Sequence, residues 1–147
     1  MIRFQLTIDC TDRGRQARFW AQALGYRPQD PPDGFADWRS YWRSRGFADE
    51  EISDVVDTIV DPDGRGPQIW FQEVPEGKVV KNRLHLDIDA SGRIGGGRIP
   101  IGIIRELVDD TVERLASLGA TTLRVSESEN YYAVVMQDPE GNEFCVA

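Results

Sequence analysis

The chain has a single histidine, His85, and the residues around it limit what it can do. From Lys81 to Asp89 polar and aliphatic residues alternate, which is the period of a strand with two unlike faces. Leu84, Leu86 and Ile88 are expected in a core, with Arg83, His85 and Asp87 on the polar face. An earlier stretch, Arg3 to Cys10, repeats the pattern place by place, with Gln5 where His85 falls and Thr7 where Asp87 falls. Later strands carry Gln68, Trp70 and Gln72, and then Glu143, on the corresponding faces. Imidazole nitrogen and carboxylate oxygen are ligands for borderline divalent ions such as Zn, Ni, Co, Fe or Mn, and the amide oxygens of Gln5 and Gln68 can complete a shell. His85, Glu143, Gln5 and Gln68 are therefore the candidate metal ligands if their strands face one cleft. The alternative for His85 and Glu143 is a hydrogen bond to each other inside a polar cleft.

The elements that must position these residues come twice. After the first strand, Thr11 or Asp12 can cap a helix whose apolar stripe is Ala17, Trp20, Ala21 and Leu24, and Gly25 ends it. The second copy has Val108, Val112, Leu115 and Leu118, the acidic pair Asp109-Asp110 near the expected start, and Gly119 at the end. Each copy then forms a hairpin. Val55 to Val60 turns through Asp61-Pro62-Asp63-Gly64 into Gln68 to Gln72. Tyr132 to Gln137 turns through Asp138-Pro139-Glu140-Gly141 into Glu143 to Val146. Gln68 thus corresponds to Glu143. The pattern predicts an α+β domain of two βαβββ modules, about residues 1–76 and 80–147, whose curved mixed sheets enclose a shared cleft. Thr7, Gln72 and Asp87 would line that cleft beside the ligands. The segment Asp37 to Ser53, present only in the first copy, is expected to be largely helical and to roof the cleft. Its Trp38 and Trp42, with Trp70, could hold a planar or apolar ligand.

The 147 residues suit one domain with a sizeable core, and no apolar run is long enough to span a membrane. The start lacks the apolar stretch of a signal peptide, so a cytoplasmic protein is expected. A formal charge of -8 argues against nucleic acid and anionic membrane as partners. Cys10 and Cys145 are too few for a disulfide framework, and each reads as a small buried apolar residue. The loop from Ser91 to Pro100, with Gly92, Gly95, Gly96 and Gly97, lacks the Lys-Ser/Thr of a phosphate-binding loop and reads as a plain connection.

The repeated strand-helix-three-strand layout, the Leu-Gly helix ends, the Asp-Pro-x-Gly turns and the terminal Gly141-Asn142-Glu143-Phe144 resemble the vicinal oxygen chelate superfamily. That superfamily includes glyoxalase I, fosfomycin and bleomycin resistance proteins and extradiol dioxygenases. Trp70 to Lys78 followed by Lys81 to Asp87 resembles its glyoxalase-like domain branch. The resemblance implies ligands at Gln5, Gln68, His85 and Glu143, with Glu143 also the catalytic base, and it allows a homodimer. Gln68 departs from it, because a carboxylate is expected there and an amide removes one negative charge from beside a divalent ion. Two readings follow. One is a divalent-metal-assisted lyase or isomerase of the glyoxalase I type acting on a small molecule. The other is a metal-free small-molecule binder of the bleomycin-resistance kind, with an acidic, tryptophan-lined groove.

Overall fold

The computed structural model describes residues 2–94, 96 and 98–147; Gly95 and Gly97 of the glycine-rich loop lie outside the described residues. Strand β1 (Gln5–Cys10) alternates as its sequence requires, with Leu6, Ile8 and Cys10 turned inward and Gln5, Thr7 and Asp9 exposed. Helix α1 (Arg13–Leu24) starts at Asp12, whose carboxylate accepts from the Arg15 N–H at 2.9 Å, and stops at Gly25 in the left-handed conformation (φ 70°). The rest of the first module is β2 (Arg27–Pro28), α2 (Trp38–Ser44), one 3-10 turn (Asp49–Glu51), β3 (Thr58–Val60) and β4 (Gln68–Glu73). The second module is β5 (Asp87–Ile88), α3 (Ile101–Ser117), β6 (Thr121–Ser128), β7 (Tyr131–Gln137) and β8 (Glu143–Val146).

Each module builds one four-stranded mixed sheet, ordered β1-β4-β3-β2 and β5-β8-β7-β6. The first strand of each runs parallel to the last, and the remaining pairs are antiparallel. The α+β fold of two βαβββ units is therefore present, with sheets that are not closed. One apolar cluster serves both halves: Trp20, Ile69 and Phe71 from the first pack with Val108, Leu115, Met136 and Phe144 from the second. Trp20 is its bolt, edge-on to Phe144 at 5.2 Å, its indole N–H donating to Asp138 at 3.1 Å. Asp138 is itself buried in the second Asp-Pro-x-Gly turn, and Glu140 of the same turn accepts from the Thr11 and Asp12 N–H groups. No helix among the described residues is long and apolar enough to cross a membrane.

Three local expectations change. The strand expected over Lys81 to Asp89 shrinks to Asp87–Ile88, and Leu84, assigned to the core, is 85% exposed. Its ladder partner among the described residues, β8, starts at Glu143, and the bond from the Cys145 N–H to the Leu86 carbonyl leaves the earlier residues nothing regular to pair with. Helix α3 begins at Ile101, behind Pro100, because Ile104 extends the buried stripe of Val108 and Leu115 one turn earlier; Asp109 and Asp110 are mid-helix. Val55 and Val56 leave the hairpin and line a cavity instead.

Candidate functional site

In β1 and β4 the register sets Gln5 opposite Gln68 and Thr7 opposite Trp70. In β5 and β8 it sets Asp87 opposite Cys145, while His85 lies just before β5, outside the ladder, and meets Glu143 as a lining residue of one cavity. The four residues expected to ligate a metal therefore fall into two pairs with different surroundings.

The first pair is held within a chain of neutral hydrogen bonds. The Gln68 amide donates to Gln5 Oε1 at 2.7 Å, and the Gln5 amide reaches Thr7 Oγ1 at 3.4 Å. Gln5 and Trp70 form the floor of a cavity of about 640 Å³. Its roof is the segment between β2 and β3, from which Trp38, Tyr41, Trp42 and Phe47 enter. Trp38 and Trp42 stack at 6.2 Å between ring centres, Phe47 meets Trp42 edge-on at 5.3 Å, and the Trp38 indole N–H donates to the Gln29 carbonyl at 3.0 Å. Helix α2 is capped by Asp37, whose carboxylate accepts from the Ser40 N–H at 2.6 Å. Glu51, Asp54 and Asp57 add carboxylates to the wall and Arg13 one cation. Arg13 lies 3.4 Å from Asp57, and Arg39 holds Asp54 at 2.6 Å. Gln72, half-buried further along β4, lines neither this cavity nor the smaller one below.

Glu143 is tied down. Its carboxylate accepts the Asn82 N–H at 3.0 Å and the Lys78 ammonium at 3.1 Å, while the Asn82 side chain donates to the Glu143 carbonyl at 3.3 Å. Lys78 also donates to the Val80 carbonyl, so Glu143 anchors the link between the modules. The Asn82 N–H, then the backbone N–H of Glu143 itself and Lys78, lower the Glu143 carboxyl to about 2 against the opposing effect of burial. A carboxylate that acidic is a weak proton acceptor at neutral pH. Lys78 was not legible as a partner, since it lies in an irregular link that no periodicity describes.

His85 and Glu143 do share a smaller cavity, about 220 Å³, with Thr7, Asn82 and Asn142 among mainly apolar walls. The nearest acid to His85 is Asp87, its Oδ1 3.3 Å from Nε2. Cys145, expected to be buried and apolar, is half-buried on the same side, and donor atoms of His85, Asp87 and Cys145 lie within 4.8 Å of one another. Burial and the neighbouring Asp87 raise the Cys145 thiol. Alternation along Glu143-Phe144-Cys145-Val146 was the signal that could have placed Cys145 on the face of Glu143.

The set implied by the resemblance does not fit a divalent ion as arranged. The Gln5 oxygen that would ligate already accepts from Gln68, and the charge of Glu143 is already answered by Lys78.

The fold has many solved counterparts. A glyoxalase/bleomycin resistance protein/dioxygenase family enzyme from Burkholderia phytofirmans superposes with a TM-score of 0.57 at 19% identity, over 97% of this chain and 94% of that one. A fosfomycin resistance protein, FosX, from Listeria monocytogenes, in complex with Mn(II) and 1S,2S-dihydroxypropylphosphonic acid, gives a TM-score of 0.58 at 12% identity, over 99% and 90%. A possible glyoxalase from Bacillus cereus gives 0.56 at 14%, over 99% and 97%. No curated protein matches the chain. These likenesses establish the fold. The profile of the glyoxalase-like domain, however, matches residues 5–147, from the first residue of β1 to the C-terminus, and by that match the chain belongs to the glyoxalase-like domain family.

Proposed function

We propose that this protein binds a small planar or aromatic molecule, neutral or cationic, in the roofed cavity of the first module. The observation that carries the reading is the convergence of five aromatic side chains, Trp38, Tyr41, Trp42, Phe47 and Trp70, on one cavity of about 640 Å³. Rings on several sides of a flat ligand remove apolar surface from water and offer stacking faces. Glu51, Asp54 and Asp57 outnumber the two arginines that pair with them, Arg13 and Arg39, so the wall has a small negative excess that favours positive charge over negative, and cation–π contact adds to that preference. Gln5, Gln29 and Thr58 supply hydrogen-bonding groups along the floor and wall. Three of the four tryptophans line the cavity, so binding is read directly by quenching of tryptophan fluorescence. Planar cationic dyes are expected to quench saturably and planar anionic ones weakly. Absence of saturable quenching by any planar neutral or cationic compound would sink the reading.

A second reading, a metal-assisted lyase or isomerase with Glu143 as base, is favoured by the one cavity that His85 and Glu143 share. It requires Lys78 to release Glu143, and it expects metal uptake that Glu143→Gln abolishes and Gln68→Glu strengthens. Elemental analysis after exposure to Zn, Ni, Co and Mn separates the two readings.

A further inference from the structure

We infer that His85, Asp87 and Cys145 form a three-point site for a thiophilic divalent cation, of the Zn(II) or Co(II) kind, separate from both the roofed cavity and the Glu143 carboxylate. The strand geometry assembles it. His85 and Asp87 are two residues apart and share one face, and the parallel register lays Cys145 directly beside Asp87. In a tetrahedral site with metal–ligand distances of about 2.0–2.3 Å, ligand atoms stand roughly 3.3–3.7 Å apart. His85 Nε2 and Asp87 Oδ1 are already 3.3 Å apart, and all three donor atoms lie within 4.8 Å. Modest side-chain rotation closes the rest.

The donor set is chemically selective. One imidazole nitrogen, one carboxylate oxygen and one thiolate sulfur suit zinc and cobalt and give magnesium, calcium or manganese little advantage over water. Thiolate and carboxylate together match the charge of a divalent ion. Three protein ligands leave a fourth position open, the pattern of sites that hold water or a substrate atom. His85 and Asp87 side chains are 42% and 53% exposed, so that position is reachable from solvent. Lys81 and Arg124 act on Cys145 from nearby and oppose the ion, which bounds its affinity.

The test is titration of the reduced, chelator-treated full-length protein with Co(II) alone, followed by Zn(II) competition. A thiolate-to-cobalt charge-transfer band is expected at one equivalent. Cys145→Ser should abolish the band, His85→Ala and Asp87→Asn should each weaken uptake at least tenfold, and Cys10→Ser and Glu143→Gln should leave the band in place. Asp87→Asn is nearly isosteric and exposed, so it reports on ligation even if another variant folds poorly. A wild-type protein without the band overturns the site. So does uptake that survives Cys145→Ser but is lost in Glu143→Gln, which would move the ion to the position implied by the family. Neither result bears on dye binding in the roofed cavity, which stands or falls by the fluorescence experiment.

Discussion

Thr7 faces Trp70 across the first sheet where Asp87 faces Cys145 across the second, and in the sequence repeat Gln5 and Gln68 correspond to His85 and Glu143. The backbone has been used twice and the side chains once each. The first set has no group that changes charge near neutral pH, and its amides form a chain in which Gln29 donates to Gln68, Gln68 to Gln5 and Gln5 to Thr7. The second set is titratable throughout. The cause of the division is visible in the connections. In the second module β6 and β7 are eight and seven residues long and joined by Glu129-Asn130. In the first, the aromatic segment separates β2 from β3 and leaves strands of two and three residues. That segment turns an open sheet face into a covered cavity. A covered, uncharged floor suits recognition of a flat molecule, whereas an open face of nitrogen, oxygen and sulfur suits an ion.

The comparison assumes that the two modules are one folding unit, and Trp20 is the residue that breaks it. It is 2% exposed, packs on Phe19 and Phe144, and its N–H reaches Asp138 in the other module. Trp20→Ala should cost about 3–5 kcal/mol and lower a single thermal transition followed by circular dichroism. Two transitions, one unmoved, would mean separate cores. Next in size is Trp42→Ala, which tests the claim that the first module alone holds the aromatic ligand. Trp42 is 37% exposed, so the fold should change little while dye affinity falls by about 2 kcal/mol, roughly thirtyfold. Tyr131→Ala, in the second module, should leave dye affinity unchanged.

What the sequence disclosed follows from how local each signal is. Strand β1 and both Asp-Pro-x-Gly turns depend on neighbours within a few residues, and α1 ends where Asp12 and Gly25 say it should. The second polar-faced strand failed because strand length depends on a partner, and β8 offers only four residues. Placing Trp38, Trp42 and Trp70 around one cavity needed only the observation that one module has an insertion. The surroundings of Glu143 needed more. Lys78 reaches it from an irregular link, over a sequence distance that no motif spans, and no alternation predicts that contact.

Glu143 gives the third contrast, through pH. Its folded carboxyl, at about 2, lies below the ordinary 4.5, so the native state binds fewer protons than the unfolded chain between those values. The resulting stabilisation is complete above about 4.5 and disappears as pH falls through about 2. Glu143→Gln should cost on the order of 1.5 kcal/mol at neutral pH, the lower end for a charged hydrogen bond, because the amide keeps one acceptor. It should also flatten the loss of stability between pH 5 and 2, measured by urea unfolding at each pH. Gln68→Glu puts the same group into the first module with no lysine beside it, and no comparable acid dependence is expected.

The smallest effect lies at the counterpart of Trp20. Counting five residues back from Gly25 and from Gly119 pairs Trp20 with Arg114. Arg114 also crosses the junction, donating to the Gln22 carbonyl at 3.1 Å and the Ala23 carbonyl at 3.3 Å, the last turn of α1. A cation there satisfies carbonyls that the helix leaves free and opposes the negative end of its dipole. Arg114 is exposed, however, so water replaces it readily and salt screens it. Arg114→Ala should therefore cost only about 0.5–1 kcal/mol in urea unfolding, and the difference should shrink in 1 M salt, where the screening length is about 3 Å. Arg114→Lys should recover part of the loss, since it keeps the charge but not the fork that spans two carbonyls. If Arg114→Ala instead destabilised the fold as much as Trp20→Ala, independently of salt, the two crossings would be equivalent and the asymmetry between the modules would be confined to the sheet faces.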